Sequence, residues 1–207
     1  MKKMMLCALL AALALLCGCS AISYTGLNAQ VLEVREDALV IRDTDNVVSP
    51  MFCWGCRVTA DRPIQYFDEY ENAMKELLLS EVEVGDMVAV DMSGAEKTNA
   101  AKGDCRVRQI RVLCGTGIPA EVVEVHDGSV AVRDIEGAEK PLFGEICELD
   151  LTAARITGID PEGGSEGILK VKDLRPGDRL ELTMTVANKK QAADGLCRAE
   201  EVRVVPE

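Results

Sequence analysis

Apolar and polar residues alternate with a period of two along much of the chain beyond residue 27. In the first such stretch Leu32 and Val34 flank a glutamate, and Leu39 and Ile41 continue the alternation after a short polar break. A period of two is typical of strands with one buried face. The break at residues 35–37 predicts a tight turn, so the stretch is predicted to be a β-hairpin.

The same pattern returns later in the chain. Residues 29–43 match residues 120–134 position by position at an offset of 91. Cys56 meets Cys147 at the same offset, and the Gly-Asp step at residues 85–86 returns at an offset of 92. In the second hairpin His126 takes the turn position of Arg35. Self-similarity at a fixed offset indicates a duplicated structural unit.

We therefore predict two tandem units, residues 28–113 and residues 118–207, which we call the first repeat and the second repeat. The segment Gly115-Thr-Gly-Ile-Pro119 is predicted to join them, because Gly and Pro interrupt regular structure. Cys105-Arg106 and Cys197-Arg198 open the final segments of the two repeats.

Two further strands are predicted in each repeat. One follows the Gly-Asp turn, at residues 87–92 and 179–186, and the other follows the cysteine, at residues 106–113 and 198–205. Both show the alternation expected of half-buried strands.

The segment before the Gly-Asp turn differs between the repeats. Residues 66–81 carry Phe67, Tyr70, Met74, Leu77 and Leu78 at helical spacing, which predicts a short helix in the first repeat. The equivalent residues 151–174 are rich in Gly and acidic residues and are predicted to form turns.

A five-stranded OB-type barrel has three strands, a short helix or loop, and then two strands, and the predicted elements of each repeat are compatible with this order. The hairpin pattern x-V-x-x-V-x-x-x-x-V-x-V and the later V-G-D-x-V step resemble small β-barrel domains of unknown function in secreted and lipid-anchored bacterial proteins. The resemblance covers most of each repeat and implies an all-β fold of two tandem five-stranded OB-like barrels. It brings no catalytic residues, because none are assigned in that family.

The first residues have the layout of a secretory signal peptide. Lys2 and Lys3 are followed by an apolar run to Leu16 and then by small residues. The apolar run is shorter than the roughly 20 residues that a membrane-spanning helix needs. Leu16-Cys17-Gly18-Cys19 resembles the bacterial lipobox, in which the cysteine is lipidated and becomes the first residue after cleavage.

The lipobox resemblance implies a signal peptide over residues 1–18, a lipidated Cys19 and a short tether over residues 19–27. Two acyl chains hold a protein stably on a membrane. The alternatives are an ordinary signal peptide cut near Ala21 and an N-terminal transmembrane anchor. The predicted location is extracytoplasmic, at the cell surface or in the periplasm.

Charge excludes one class of partner. The chain carries a formal net charge of −12, and removal of residues 1–18 takes away two lysines and no acid, which makes it −14. A protein that binds phosphates electrostatically needs clustered Lys and Arg, so nucleic acid is not expected as a partner. The lipid, rather than a basic patch, is expected to hold the protein on the membrane.

Six of the nine cysteines follow Cys19, an even number that suits disulfides in an oxidising compartment. Repeat symmetry suggests Cys56 with Cys105 and Cys147 with Cys197, and Cys53 with Cys114 by remainder. Six cysteines allow 15 pairings, so the connectivity stays open.

A redox role is the competing interpretation of the cysteines. Cys53-Trp-Gly-Cys56 is a C-x-x-C, which exchanges disulfides when one thiol has a lowered pKa, although the βαβ context of thioredoxin-like enzymes is missing. A zinc site would need a second ligand pair, and none follows in the sequence, so neither a metal nor a cofactor is predicted.

Other chemical signals are weak. His126 is the only histidine and is expected on a hairpin turn. Ser165 lies in a formal G-x-S-x-G, but a nucleophile elbow needs a strand before it and a helix after it. The acidic runs at residues 43–46 and 160–162 lack the EF-hand spacing. Five arginines of the first repeat would bind an anion only if they shared one face: Arg57, Arg62, Arg106, Arg108 and Arg111.

These observations favour a non-enzymatic, membrane-tethered binding or scaffolding protein whose ligand is an envelope protein, peptide or glycan. The fold analogy supports this prediction, since OB barrels offer a concave face and loops for such contacts. The alternatives are a thiol-disulfide redox protein that uses Cys53 and Cys56, and a spacer that holds another protein off the membrane.

Overall fold

The computed structural model describes residues 23–44, 51–52, 54–135, 142–143, 146–159, 166–192 and 194–205. Of the described residues, 57% lie in strands and 14% in helices, so the prediction of a mostly β protein is confirmed. All fifteen strands of the described part belong to one hydrogen-bonded sheet.

The element bounds follow the chain through both repeats. The strands before the junction are β1 Ser23–Val34, β2 Leu39–Asp43, β3 Cys56–Ala60, β4 Ile64–Asp68, β5 Ala73–Leu77, β6 Met87–Ser93, β7 Asp104–Val107 and β8 Gln109–Val125. The later strands are β9 Ser129–Arg133, β10 Cys147–Asp150, β11 Arg155–Ile159, β12 Glu166–Ile168, β13 Arg179–Thr185, β14 Leu196–Arg198 and β15 Glu201–Val205. Two short α-helices are described, α1 Lys97–Lys102 and α2 Val186–Ala192, with single 3-10 turns at Leu79–Glu81, Gly94–Glu96 and Val171–Asp173.

The strand pairing of the first repeat is repeated in the second. β1 pairs antiparallel with β2, and β2 with β3, whereas β3 runs parallel to β7. β6 lies antiparallel between β1 and β8. In the second repeat β8, β9 and β10 pair in the same antiparallel order, β10 runs parallel to β14, and β13 lies between β15 and β8.

The predicted hairpin of each repeat is present, but a β-bulge changes its inward residues. The β1–β2 register shifts between Val31 and Glu33, and the β8–β9 register shifts between Val122 and Glu124. A bulge places one extra residue on one strand and reverses the alternation beyond it. As a result Val31 and Val122 are buried, while Leu32, which the simple alternation turned inward, is only half-buried.

The Gly-Asp step closes onto this bulge. The N–H of Gly85 donates to the carbonyl of Val31 at 2.8 Å, and Val31 N–H donates to the carbonyl of Asp86 at 2.9 Å. Gly85 has a φ of +97°, in the left-handed region that favours glycine. The second repeat makes the same two bonds, so the Gly-Asp turn is a fixed part of the repeated unit.

Two separate hydrophobic clusters form the core. The first lies in the first repeat and also receives Val186 and Ala187 from α2, and the second lies in the second repeat. Phe52 and Phe143, at equivalent positions, are fully buried. Burial of each of these rings contributes about 2–3 kcal/mol to folding.

Residues 66–81 do not form the predicted helix, and that prediction was wrong. β4 and β5 form an antiparallel hairpin in which Tyr66 faces Lys75, and β4 also runs parallel to β8. In this arrangement Tyr66 and Leu77 are buried while the backbone of β4 forms hydrogen bonds with two strands. A helix on the surface would not provide both. The predicted turns of residues 151–174 include an equivalent hairpin, β11 with β12.

The predicted connecting segment at residues 115–119 also differs from expectation, because it lies inside β8. This strand pairs with β6 through its first half and with β13 through residues 114–121. The two repeats therefore share one long strand, and their sheets are continuous.

Candidate functional site

A pocket of about 440 Å³ lies at one end of the first core. Its floor is apolar and consists of Leu39, Val58, Ile64, Leu77 and Ile110. We call it the end pocket. Ligand pockets of this size are usually apolar with a few polar groups at the edge, so this is the strongest candidate site in the described residues.

Two lining positions of the end pocket carry smaller side chains than their equivalents in the second repeat. Ala60 lines the pocket and is partly exposed, whereas the equivalent residue of the second repeat, Leu151, is buried. Val58 is likewise matched by the larger Leu149, which is fully buried. At these two positions the second repeat therefore carries larger side chains, and both are buried. The sequence signal was the Ala-to-Leu difference between the aligned repeats.

The rim of the end pocket is polar and carries both signs of charge. Asp37 pairs with Arg57 at 2.6 Å. Arg62 and Glu76 line the pocket and make no ion pair with the described residues. An unpaired carboxylate at the edge of an apolar pocket can orient a cationic ligand group.

A second groove, which we call the side groove, opens on the outer face of the β4–β5 hairpin. It also has a volume of about 440 Å³ and is lined by Phe67, Met74, Leu113 and Ala89, with Arg111 among them. Phe67 and Met74 face each other across the β4–β5 hairpin and are half exposed. The short strand β5 therefore lies between the end pocket and the side groove.

The buried cysteines lie in two contacting pairs. The sulfur atoms of Cys56 and Cys105 are 3.7 Å apart, and those of Cys147 and Cys197 are 2.8 Å apart. Both separations exceed the roughly 2.05 Å of a disulfide bond, so these residues are free thiols in the structure. The partners are those that repeat symmetry suggested.

Three of the described thiols have a raised pKa, which makes them poor nucleophiles, whereas the hydrogen bond with Cys197 lowers the pKa of Cys147. The hydrogen bond with Cys105, and burial next, raise the pKa of Cys56, and Cys147 and burial raise the pKa of Cys197 in the same way. Burial raises the pKa of Cys114, which is half-buried. Reactive thiols are exposed and have a lowered pKa, so Cys56 lacks the features of the attacking thiol in a C-x-x-C. Cys53 lies outside the described residues, as does its predicted pairing with Cys114.

His126 lies on the second hairpin turn, with its Nε2 3.7 Å from the Glu148 carboxylate. The hydroxyl of Ser129 donates to the other oxygen of Glu148. In a serine-histidine site the histidine lies between serine and acid. Here the carboxylate lies between the other two, so the cluster does not activate a serine nucleophile.

The remaining signals have structural partners. Three of the five arginines form ion pairs within the described residues: Arg57 with Asp37 and Asp104, Arg106 with Asp61, and Arg111 with Asp91. The carboxylate of Asp43 accepts the N–H of Met51 at 2.7 Å. No group of three metal-ligating side chains occurs among the described residues.

A buried polar contact between the repeats was not predicted from the sequence. Asn188 on α2 is fully buried, and its carbonyl accepts the Tyr70 hydroxyl at 2.6 Å and the N–H of Arg198 at 3.2 Å. Its amide donates to Glu69 at 2.7 Å and to Thr185 at 2.9 Å. These bonds tie the second repeat to the β4–β5 turn of the first.

The next two residues of α2 extend this contact. The Lys189 ammonium pairs with Glu83 and lies 3.5 Å from Asp86. The Lys190 ammonium is 2.9 Å from Glu81 and lies 5.2 Å from the centre of the Tyr66 ring. We call residues 188–190 the inter-repeat clamp. No sequence pattern indicated this clamp, because the equivalent residues of the first repeat, Glu96-Lys97-Thr98, are polar as well.

The signal peptide, Cys19, Ser165 and the acidic run at residues 160–162 also fall outside the described part of the chain. Among the described residues no helix combines the length and the apolar character needed to cross a bilayer. Comparison with known proteins found no matching family model and no significant match among curated proteins.

Proposed function

We propose that this protein is a membrane-tethered, non-enzymatic binding module of two OB-like barrels, and that the end pocket of the first repeat holds its ligand. The ligand is an envelope protein, peptide or glycan. The observation that carries the proposal is the end pocket, which is lined by Ala60, where the second repeat has the buried Leu151.

The order of strand pairing supports the barrel assignment. β1, β2, β3 and β7 pair in succession, and β8, β6 and β1 pair in succession, while only Arg108 separates β7 from β8. If β7 and β8 are counted as one strand interrupted at that residue, five strands follow one another in the order expected of an OB-type barrel. The same order runs through β8, β9, β10, β14–β15 and β13.

The ligand proposal is tested by photo-crosslinking in intact cells of the native host. A benzoyl-phenylalanine in place of Leu78, which lines the end pocket, is compared with one in place of Lys170, its equivalent in the second repeat. We expect a light-dependent adduct from position 78 only. Ala60→Leu, which fills the pocket, should abolish that adduct.

Two results would contradict a ligand site in the end pocket. One is the absence of an adduct from position 78. The other is an adduct that is unaffected by Ala60→Leu, because a ligand in the pocket must compete with the added side chain.

The tether is a second part of the proposal, and it rests on the lipobox resemblance at Cys19. The lipid would hold the protein on the membrane, because its acidic composition offers no basic patch for anionic headgroups. Cys19→Ser should move the protein from the membrane fraction to the soluble exported fraction. Retention of the variant on the membrane would rule the lipid anchor out.

We also propose that each contacting thiol pair becomes a disulfide after export. Two thiols give their two protons and two electrons to an external small-molecule disulfide, which is reduced to two thiols. The paired residues are 49 and 50 positions apart, so each bond would stabilise its barrel by roughly 4 kcal/mol through loop closure. After alkylation of freshly lysed cells, intact-mass measurement should find all four cysteines unalkylated. Four alkylated thiols would contradict the proposal.

The redox alternative, with Cys53 and Cys56 as a disulfide-exchange pair, has weaker support. Cys56 is fully buried and its pKa is raised. Unchanged insulin-reduction activity after Cys53→Ser would remove this alternative.

A further inference from the structure

Strand β5 has one free edge in the described structure. It pairs with β4 and with no other described strand. A free edge presents unpaired N–H and C=O groups that can accept another strand. The β5 edge is also short and carries Lys75, features that limit pairing between copies of the same chain.

The repeat symmetry indicates which residues of β5 face outward. In the second repeat Leu169 N–H donates to the carbonyl of Ile156 at 3.0 Å, and the equivalent pair is Leu77 with Ile64. Hydrogen-bonded and non-hydrogen-bonded pairs alternate along an antiparallel ladder. The N–H and C=O groups of Met74 and Glu76 therefore point away from β4, toward the free edge.

A cavity lies on each face of this edge. On the inner face Leu77 lines the end pocket, and on the outer face Met74 lines the side groove. A strand added to an edge directs alternate side chains to opposite faces. An added strand would thus place one side chain near each cavity.

Charge indicates a further property of such a strand. Lys75 is already neutralised by Asp68 at 2.8 Å and by Glu71 at 2.5 Å. Glu76 is exposed and makes no ion pair with the described residues. Opposite charges on directly facing residues stabilise a strand pair, so Glu76 favours a cationic residue opposite it.

We propose that the first repeat binds an extended peptide segment by strand addition to β5. The bound segment has apolar side chains opposite Met74 and Leu77 and a Lys or Arg opposite Glu76. This inference rests on the proposed function and names its ligand as a peptide rather than a glycan.

Two synthetic peptides test the proposal on the full-length protein in detergent. Ac-Gly-Ser-Leu-Lys-Ser-Val-Ser-Gly-NH2 fits an antiparallel strand, and Ac-Gly-Ser-Val-Ser-Lys-Leu-Ser-Gly-NH2 fits a parallel one. NMR detects binding, and amide hydrogen exchange measures protection residue by residue. We expect one of the peptides to slow exchange at Met74 and Glu76, while the amides of Lys75 and Leu77 are already protected by β4.

A charge exchange distinguishes strand addition from general adhesion. Glu76→Lys should weaken binding of the lysine peptide about fivefold, because two like charges then face each other. Replacement of the peptide lysine by glutamate should restore binding to that variant. Ile168→Lys, which places a lysine at the equivalent position of the second repeat, is the control and should change nothing.

The outcomes separate this inference from the proposed function. Absence of binding at millimolar concentrations of both peptides, or binding without protection of Met74 and Glu76, would overturn strand addition. If the cellular crosslink from position 78 still formed and still depended on Ala60, the binding function would stand with a different ligand. Absence of that crosslink would contradict the binding function itself.

Discussion

The first and second repeats agree in their backbone bonds and differ at the end of the core. Both close the Gly-Asp turn onto a bulge, and both place a buried phenylalanine and a cysteine pair at equivalent positions. At the end of the core the first repeat has Ala60, and the second repeat has the larger Leu151 at the equivalent position. The two repeats therefore share one backbone framework and differ in the size of the side chain at the end pocket.

A second difference concerns Glu96, which precedes α1, and the equivalent Asn188, which lies within α2. In the first repeat Glu96 accepts the N–H of Arg106 at 3.1 Å near the surface. In the second repeat Asn188 accepts the equivalent N–H of Arg198, but it is fully buried against Tyr70. One local hydrogen bond was thus retained, and in the second repeat it became part of the contact between the copies.

The largest expected effect comes from exchange of the pocket residues. Leu151→Ala should lower the free energy of unfolding by about 2–4 kcal/mol, because it removes buried carbon atoms and leaves a cavity. Ala60→Leu should change it by less than about 1 kcal/mol, because space for the side chain exists. Urea denaturation measures both. Equal costs for the two variants would show that the end pocket does not accommodate a leucine.

Loss of the clamp amide should have the next largest effect. Asn188→Ala removes, at a fully buried position, the acceptor of the Tyr70 hydroxyl and of the Arg198 N–H, at a cost of about 1–3 kcal/mol. Glu96→Ala removes the equivalent bond near the surface, at a cost of about 0.5–1 kcal/mol. Calorimetry should show one transition for the parent and two for Asn188→Ala. A single transition in that variant would mean that the shared strand alone couples the repeats.

The smallest expected effect concerns the two turn aspartates. Burial raises the pKa of Asp86, against the opposing influence of Lys189. The folded state then binds more protons than the unfolded state above about pH 4, so Asp86 lowers stability as the pH rises through this window. The stability of Asp86→Asn relative to the parent should therefore increase with pH.

Asp178→Asn is the matched change at the partly exposed turn of the second repeat. Urea midpoints between about pH 3 and pH 7 compare the two variants. A parallel pH dependence for both would show that burial against the clamp has no influence on Asp86.

Much of the secondary structure was predictable because alternation and turn chemistry are local. The duplication placed the hairpins and the Gly-Asp turns without any tertiary information. The bulge at Val31 was not predictable from a simple period of two, because one extra residue reverses the inward face beyond it. The helix predicted over residues 66–81 failed because strand pairing with β8 outweighed a local helical pattern.

The candidate site was only partly visible in the sequence. Ala60 and Leu151 could be compared once the repeats were aligned, but a small residue does not by itself indicate a pocket. The clamp needed the structure, since Asn188 and Tyr70 are 118 residues apart. Burial of a polar group is compensated only where its partners converge, and that convergence depends on how the chain packs.

The sequence by itself determined the mostly β character, the duplication, the hairpin turns and the acidic charge, because each follows from local composition or from self-similarity. The tertiary structure decided that one strand runs through both repeats, that the thiols meet in pairs, and that the end pocket opens in one repeat. These depend on which distant side chains share a space. Packing of that kind is set by the whole fold, and no short stretch of sequence records it.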